Sequence, residues 1–275
     1  MKSLFLATVA LAFSNTVLAE TSPSTTGTTT TTAPAPASAV TGVLEFRPTL
    51  SPDDNKVTTQ NEATIRYQVN PNWRIGYTQY FGTNFGFPGQ QGVGLVGMGS
   101  FISSKLPNVW KNVAGDLSLS MDTQLRLPTA PSQLDAGMVA SARHYTSLTK
   151  KVNDTVTLNA THITVLHGFN NAGKYSLNAT TGAMEAKANA LLDQRLYLTV
   201  SLALSEDLSL DLPLMMWATL NRPMGGGDPF SFWLTIWPEL TYKVADATTV
   251  GLSFQGDNLL KGFKGYPQAV FHQDL

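Results

Sequence analysis

At 275 residues the chain has room for one large domain or two small ones, and only 13% of it is charged, against roughly a quarter in soluble domains. A net charge of −1 offers no basic footprint for nucleic acid, so no nucleic-acid partner is expected. The absence of cysteine excludes disulfide scaffolds, thiolate metal sites and cysteine catalysis together.

The chain opens on a positive Met1-Lys2 followed by an apolar stretch, Leu4 to Phe13, and then Val17-Leu18-Ala19. This layout predicts a secretory signal peptide over residues 1–19, cut between Ala19 and Glu20. The apolar stretch is too short to anchor in a membrane, where a helix needs roughly 20 such residues. Residues 20–40 are rich in Thr, Pro and Ala and have no aromatic residue. They lack the apolar bulk that offsets ordering entropy, and are expected to form a disordered tether.

From Thr41 onward the pattern changes to strict alternation, the mark of strands with two unlike faces. Leu117, Leu119, Met121, Leu125 and Leu127 share one face of their run, with Ser118, Ser120, Asp122, Gln124 and Arg126 on the other. Phe230, Phe232, Leu234, Ile236, Leu240, Tyr242 and Val244 oppose Ser231, Trp233, Thr235, Trp237, Glu239, Thr241 and Lys243 in the same way. Strands are expected near 42–50, 62–69, 73–81, 92–102, 116–128, 136–151, 155–166, 193–204, 208–220, 230–244, 247–256 and 266–275. Several exceed the ~5–6 residues of an ordinary strand and suit a tilted ~9–11-residue membrane crossing. The glycines of Gly92 to Ile102 leave the faces of the fourth strand unassigned, and Ser103 to Val113 reads as an unusually long turn.

The connections alternate between two kinds. Tight polar breaks at Val69–Trp73, Ala114–Leu117, Val152–Val156, Leu204–Leu208 and Val244–Thr248 carry the Asn, Asp, Gly and Pro that hairpins need. Longer connections run over Ser51–Asn61, Gly82–Gln91, Thr129–Asp135, Gly168–Leu192, Asn221–Pro229 and Gly256–Gly265. An up-and-down barrel of about twelve strands places the short turns at one end and the long loops at the other. The alternative fold, a soluble β-sandwich, would have to hide every apolar face in one core with few surface charges.

Over Thr41 to Leu275, together with the signal peptide, the chain resembles bacterial outer-membrane β-barrels of the porin-like kind. That resemblance implies an all-β, antiparallel transmembrane barrel over 41–275 with short periplasmic turns and longer extracellular loops. It also implies residence in a Gram-negative outer membrane, among its lipid and lipopolysaccharide. Barrels of this kind usually finish on an aromatic residue, whereas this chain ends on Leu275 with Phe271 four residues earlier.

Some relatives of this architecture are lipid-active enzymes that use a His, a Ser and a polar orienting residue on the outer wall. Here His144 and Ser147 fall on opposite faces of a strand, as do His162 and His167, so neither pair forms such a site or a metal site. No catalytic, metal or cofactor site is expected. With the apolar face toward lipid, the lumen receives Glu62, Arg66, Arg74, Asp122, Arg126, Asp211, Glu239 and Lys243. Acids and bases balance in this set, unlike an arginine-lined channel for acidic sugars. Tyr197, Trp217, Trp233 and Trp237 share that parity. Pairing about Gly225 sets Trp217 against Trp233 and Asp211 against Glu239, with Arg126 or Lys243 expected as the neutralising base. Three functions follow from this reading: a passive channel for small polar solutes, a non-conducting structural or surface-interaction barrel, and a lipid-modifying enzyme.

Overall fold

Backbone hydrogen bonding dictates the architecture. A strand in hydrocarbon has no water to satisfy its N–H and C=O groups, so a spanning sheet must close on itself. The computed structural model describes residues 39–51, 56–85, 94–112, 116–177, 184–223, 228–256, 259 and 265–274. The expected signal peptide and nearly all of the expected tether therefore lie outside the described residues.

The first four strands, β1 (Val40–Ser51), β2 (Lys56–Asn70), β3 (Trp73–Phe85) and β4 (Gly94–Asn112), pair in sequence. β5 (Leu117–Leu127), β6 (Met138–Lys151) and β7 (Val156–Phe169) continue the meander, with a short helix α1 (Pro131–Asp135) between β5 and β6. A separate hairpin of β8 (Gly173–Leu177) and β9 (Met184–Ala188) precedes β10 (Ala190–Ala203) and β11 (Leu208–Asn221). The wall ends in β12 (Phe230–Ile236), β13 (Glu239–Ala245), β14 (Thr248–Gly256) and β15 (Gly265–Asp274). β15 returns to pair with β1, with Phe46 opposite Phe271, and the sheet closes. β12 and β13 occupy one position in the wall. Both pair with β11 at residue numbers summing to 450, and the ladder breaks only where Trp237-Pro238 faces Pro213. The result is a closed antiparallel barrel of twelve wall strands.

Proline explains that break, because Pro238 has no N–H to give the ladder. It explains a second irregularity in β4. The expected long turn over Ser103–Val113 is instead strand as far as Asn112, with a register shift between Leu106 and Trp110 around Pro107. The faces of the glycine-rich part of β4 escape simple parity because of a bulge. Tyr80 pairs with Gly99 but Phe81 with Gly97, so the alternation reverses across Met98. Gly99 takes a φ of +108°, and a Cβ there would meet the Gln133 side chain of α1 at 2.9 Å. The longest expected loop, Gly168–Leu192, holds the β8–β9 hairpin, a feature not expected from the sequence.

The tight turns are stapled by their own polar residues. Asn153 Oδ1 accepts from the Thr155 and Val156 amides, Ser205 Oγ from Asp207 and Leu208, and Asn70 Oδ1 from Asn72. The Lys151 ammonium donates to Asp154 and holds that carboxyl below the usual carboxylate range.

Burial is inverted relative to a soluble domain. Val43, Phe101, Ile163, Val165 and Val270 are buried, and register places all of them on the face shared by Glu45, Thr64, Arg126 and Asp193. On the opposite face Ile65, Tyr67, Tyr77, Leu198, Leu212, Tyr242 and Leu252 are all exposed. Only a bilayer makes such a surface favourable. Adjacent residues on one strand should therefore respond oppositely to charge. Leu198→Arg, on the apolar face, is expected to cost about 2–4 kcal/mol in folding titrations into lipid vesicles, while Thr199→Lys should cost far less.

Candidate functional site

The site is the inner wall, where polar side chains line up in rows because paired residues share a face. Lys105, Asp122, Tyr145, Ile163, Arg195, Trp217 and Trp233 are successive partners across β4, β5, β6, β7, β10, β11 and β12. The neighbouring row runs Ser103, Gln124, Arg143, Val165, Asp193 and Thr219.

Three groups of charge occupy this wall. The first surrounds Asp193, whose carboxylate is buried. It accepts from Arg195 Nη2 at 3.0 Å and from Thr219 Oγ1 at 2.8 Å, and lies 3.1 Å from His167 Nε2. The Arg195 guanidinium stacks on Trp217 at 3.8 Å, an interaction worth about 2 kcal/mol when shielded from water. Trp217 faces Trp233 with ring centroids 6.4 Å apart. The second group joins Arg47 to Glu45 and, at 2.8 Å, to Glu239. Arg47 also lies 5.9 Å from the Trp237 ring.

The third group lines a cavity of about 250 Å³ that includes Glu62, Arg66, Arg74, Lys105 and Asp122, floored by a Thr64–Thr78 hydroxyl contact of 2.7 Å. Beside it Arg126 sits 6.0 Å from the Tyr80 ring, and Arg143 donates to the Tyr145 hydroxyl at 2.9 Å. Among the described residues neither Arg126 nor Arg143 has a carboxylate within 4.0 Å.

The residues expected in the lumen therefore share one face, but not as one cluster. Glu62, Arg66, Arg74 and Asp122 meet in the cavity, with Arg126 next to it. Trp217 and Trp233 join the Asp193 group, while Trp237 and Glu239 join the Arg47 group. Asp211 pairs in register with Glu239, and Tyr197 with Met215. Lys243 stands apart, its Nζ bound to Asp246 in the adjoining turn. The base expected beside Glu239 is present but is Arg47, not Arg126 or Lys243. Arg47 reaches Glu239 from β1, with β15 and β14 between the two strands, so no sequence spacing announces it. Arg143, Asp193, Arg195 and His167 were also missed. Parity alone places Asp193 and Arg195 beside Tyr197, so that signal was available. His162 and His167 point to opposite faces, as do His144 and Ser147.

No family model and no curated protein matches this chain. Among solved structures it is similar to an outer membrane channel from Pseudomonas putida F1, with a TM-score of 0.60 at 12% identity, covering 88% of this chain and 97% of that one. Lower-scoring matches are the toluene transporter TbuX of Ralstonia pickettii (TM-score 0.44, 6% identity, 86% and 89% covered) and the translocator domain of the autotransporter NalP from Neisseria meningitidis (0.42, 10%, 100% and 94%). The fold is that of the bacterial outer-membrane β-barrels.

Asp193 carries the most contacts in the wall. Asp193→Ala would leave Arg195 without its carboxylate in a buried setting, and is expected to destabilise the barrel by about 3 kcal/mol in the same vesicle titration. Asp193→Asn, which keeps acceptor capacity, should cost less.

Proposed function

We propose that this protein is an outer-membrane channel through which small polar solutes diffuse passively. The observation that carries this reading is the direction of the ion pairs. Among the described residues they run along the wall or stay in a turn: within β1, β10 and β15, from β7 to β10, from β15 to β1, from β1 to β13, and at Lys151–Asp154 and Lys243–Asp246. A barrel closed by salt bridges would pair charges from opposite sides.

Twelve strands at a spacing of ~4.8 Å and a tilt of ~40° enclose a backbone ring roughly 24 Å across, wider than side chains from both walls fill. Arg126 and Arg143, which have no carboxylate within 4.0 Å among the described residues, are tenable beside such a wet passage and costly in a dry one. The likeness to an outer membrane channel supports the same reading at the level of fold. Export by the signal peptide would deliver the chain to the outer membrane, with the short turns on the periplasmic side.

The purified protein should give discrete conductance steps in planar bilayers. Arg126→Glu with Arg143→Glu should shift its reversal potential toward cation preference. A silent bilayer containing folded protein would favour the structural barrel instead.

Topology is checked separately on intact cells with an impermeant thiol reagent, the chain being otherwise free of cysteine. Asn171→Cys, beside the β8–β9 hairpin, should label. Asp154→Cys, in the tight turn, should not, and the reverse pattern would invert the orientation.

A further inference from the structure

The outward face is apolar on β11, β12 and β13, where register leaves only Leu, Met, Ala, Phe, Ile, Tyr and Val toward the bilayer. On β4 to β10 it is not. Ser104, Thr123, His144, Thr164 and Gln194 are successive partners across β4, β5, β6, β7 and β10, and all point outward. Thr146 and His162, paired with each other, lie one step along. His144 and His162 are each the seventh residue of a fourteen-residue strand, so the stripe crosses the middle of the span.

The stripe is knitted internally. Thr123 Oγ1 lies 2.9 Å from His144 Nδ1, Thr146 Oγ1 lies 3.3 Å from His144 Nε2, and Thr164 donates to Gln194 at 3.0 Å. His162 is exposed. Lipid tails offer no hydrogen bonds, so a bare imidazole at mid-depth is costly. Next to the stripe is an apolar hollow of about 340 Å³ on the same strands. Ala160 sits between Leu148 and Leu198, with Leu117, Leu158 and Val200 around it and the exposed Lys150 at its edge.

We infer that this face binds a second copy of the chain. Histidine, threonine and glutamine each carry donors and acceptors, so the stripe is complementary to itself and needs no oppositely charged partner. Two copies inserted the same way around are related by a two-fold axis along the membrane normal. The strands are tilted, so the stripe runs obliquely, and two facing stripes cross at their middle. That crossing sets His144 and His162 of one copy against those of the other. Five strands at ~4.8 Å spacing, over an apolar band ~25 Å deep, present a face on the scale of the ~800 Å² that each partner of a standard interface buries. The inference rests on membrane insertion and not on conductance.

The absence of cysteine makes the test direct. His162→Cys in outer membranes, oxidised with copper phenanthroline, should give a product of twice the monomer mass. Leu252→Cys, outward and exposed on β14, should remain monomeric. Adding His144→Leu and Thr164→Leu to His162→Cys should lower the crosslinked yield at least tenfold, while heat-modifiable migration reports an intact barrel. Several results would overturn the inference: equal crosslinking at Leu252→Cys, an adduct of any other mass, monomer only from His162→Cys, or a lipid or lipopolysaccharide that co-purifies with the wild type and is lost from the leucine variant.

Discussion

Closure of the sheet is the constraint on which everything else depends. In hydrocarbon each unpaired N–H or C=O costs several kcal/mol, so an open edge is not tolerated. The β1–β15 ladder removes the last edge, and it does so with aromatic packing of Phe46 against Phe271 at 6.2 Å. Once the sheet is closed, strand parity leaves two environments only, and each residue's place in the alternation decides which of them it meets. Local departures such as the bulge at Met98 and the proline break at Trp237-Pro238 are absorbed within the ring because the flanking registers still match.

The two environments reverse the usual relation between burial and polarity. Inside, Ile163 lies in register between Tyr145 and Arg195, and Val165 between Arg143 and Asp193, so buried apolar side chains sit in rows of polar and charged ones. Long basic side chains suit this setting because their methylene stems are apolar while the guanidinium stays hydrated. Asp193 anchors the arrangement by engaging His167, Arg195 and Thr219 from three strands, and Trp217 takes the other side of Arg195. Among the described residues the ion-paired charges are held along the wall.

Much of this was legible in the sequence. The wall strands other than β4 and β15 follow from period-two alternation and from turns rich in Asn, Asp and Pro, whereas the glycines of β4 leave its faces unassigned. The pairing of Trp217 with Trp233 and of Asp211 with Glu239 follows from the symmetry of one hairpin. These features are local: parity and turn chemistry act between residues on one strand or on two joined by a loop. The β8–β9 hairpin escaped because its strands are five residues long, too short for alternation to rise above chance.

The sequence by itself determined which face most wall residues occupy, because a two-residue repeat admits no other assignment once one face must be apolar; β4, with its glycines and the bulge at Met98, is the exception. Only the tertiary structure decided which charges meet. Arg47 finds Glu239 across 192 residues, and His167 finds Asp193 across 26, because barrel curvature and stagger bring distant strands level. Likewise, the outward polar residues of five strands form one stripe only after the register between those strands is set. Register across long loops depends on bulges and on the closing ladder, and those are properties of the whole ring and not of any segment.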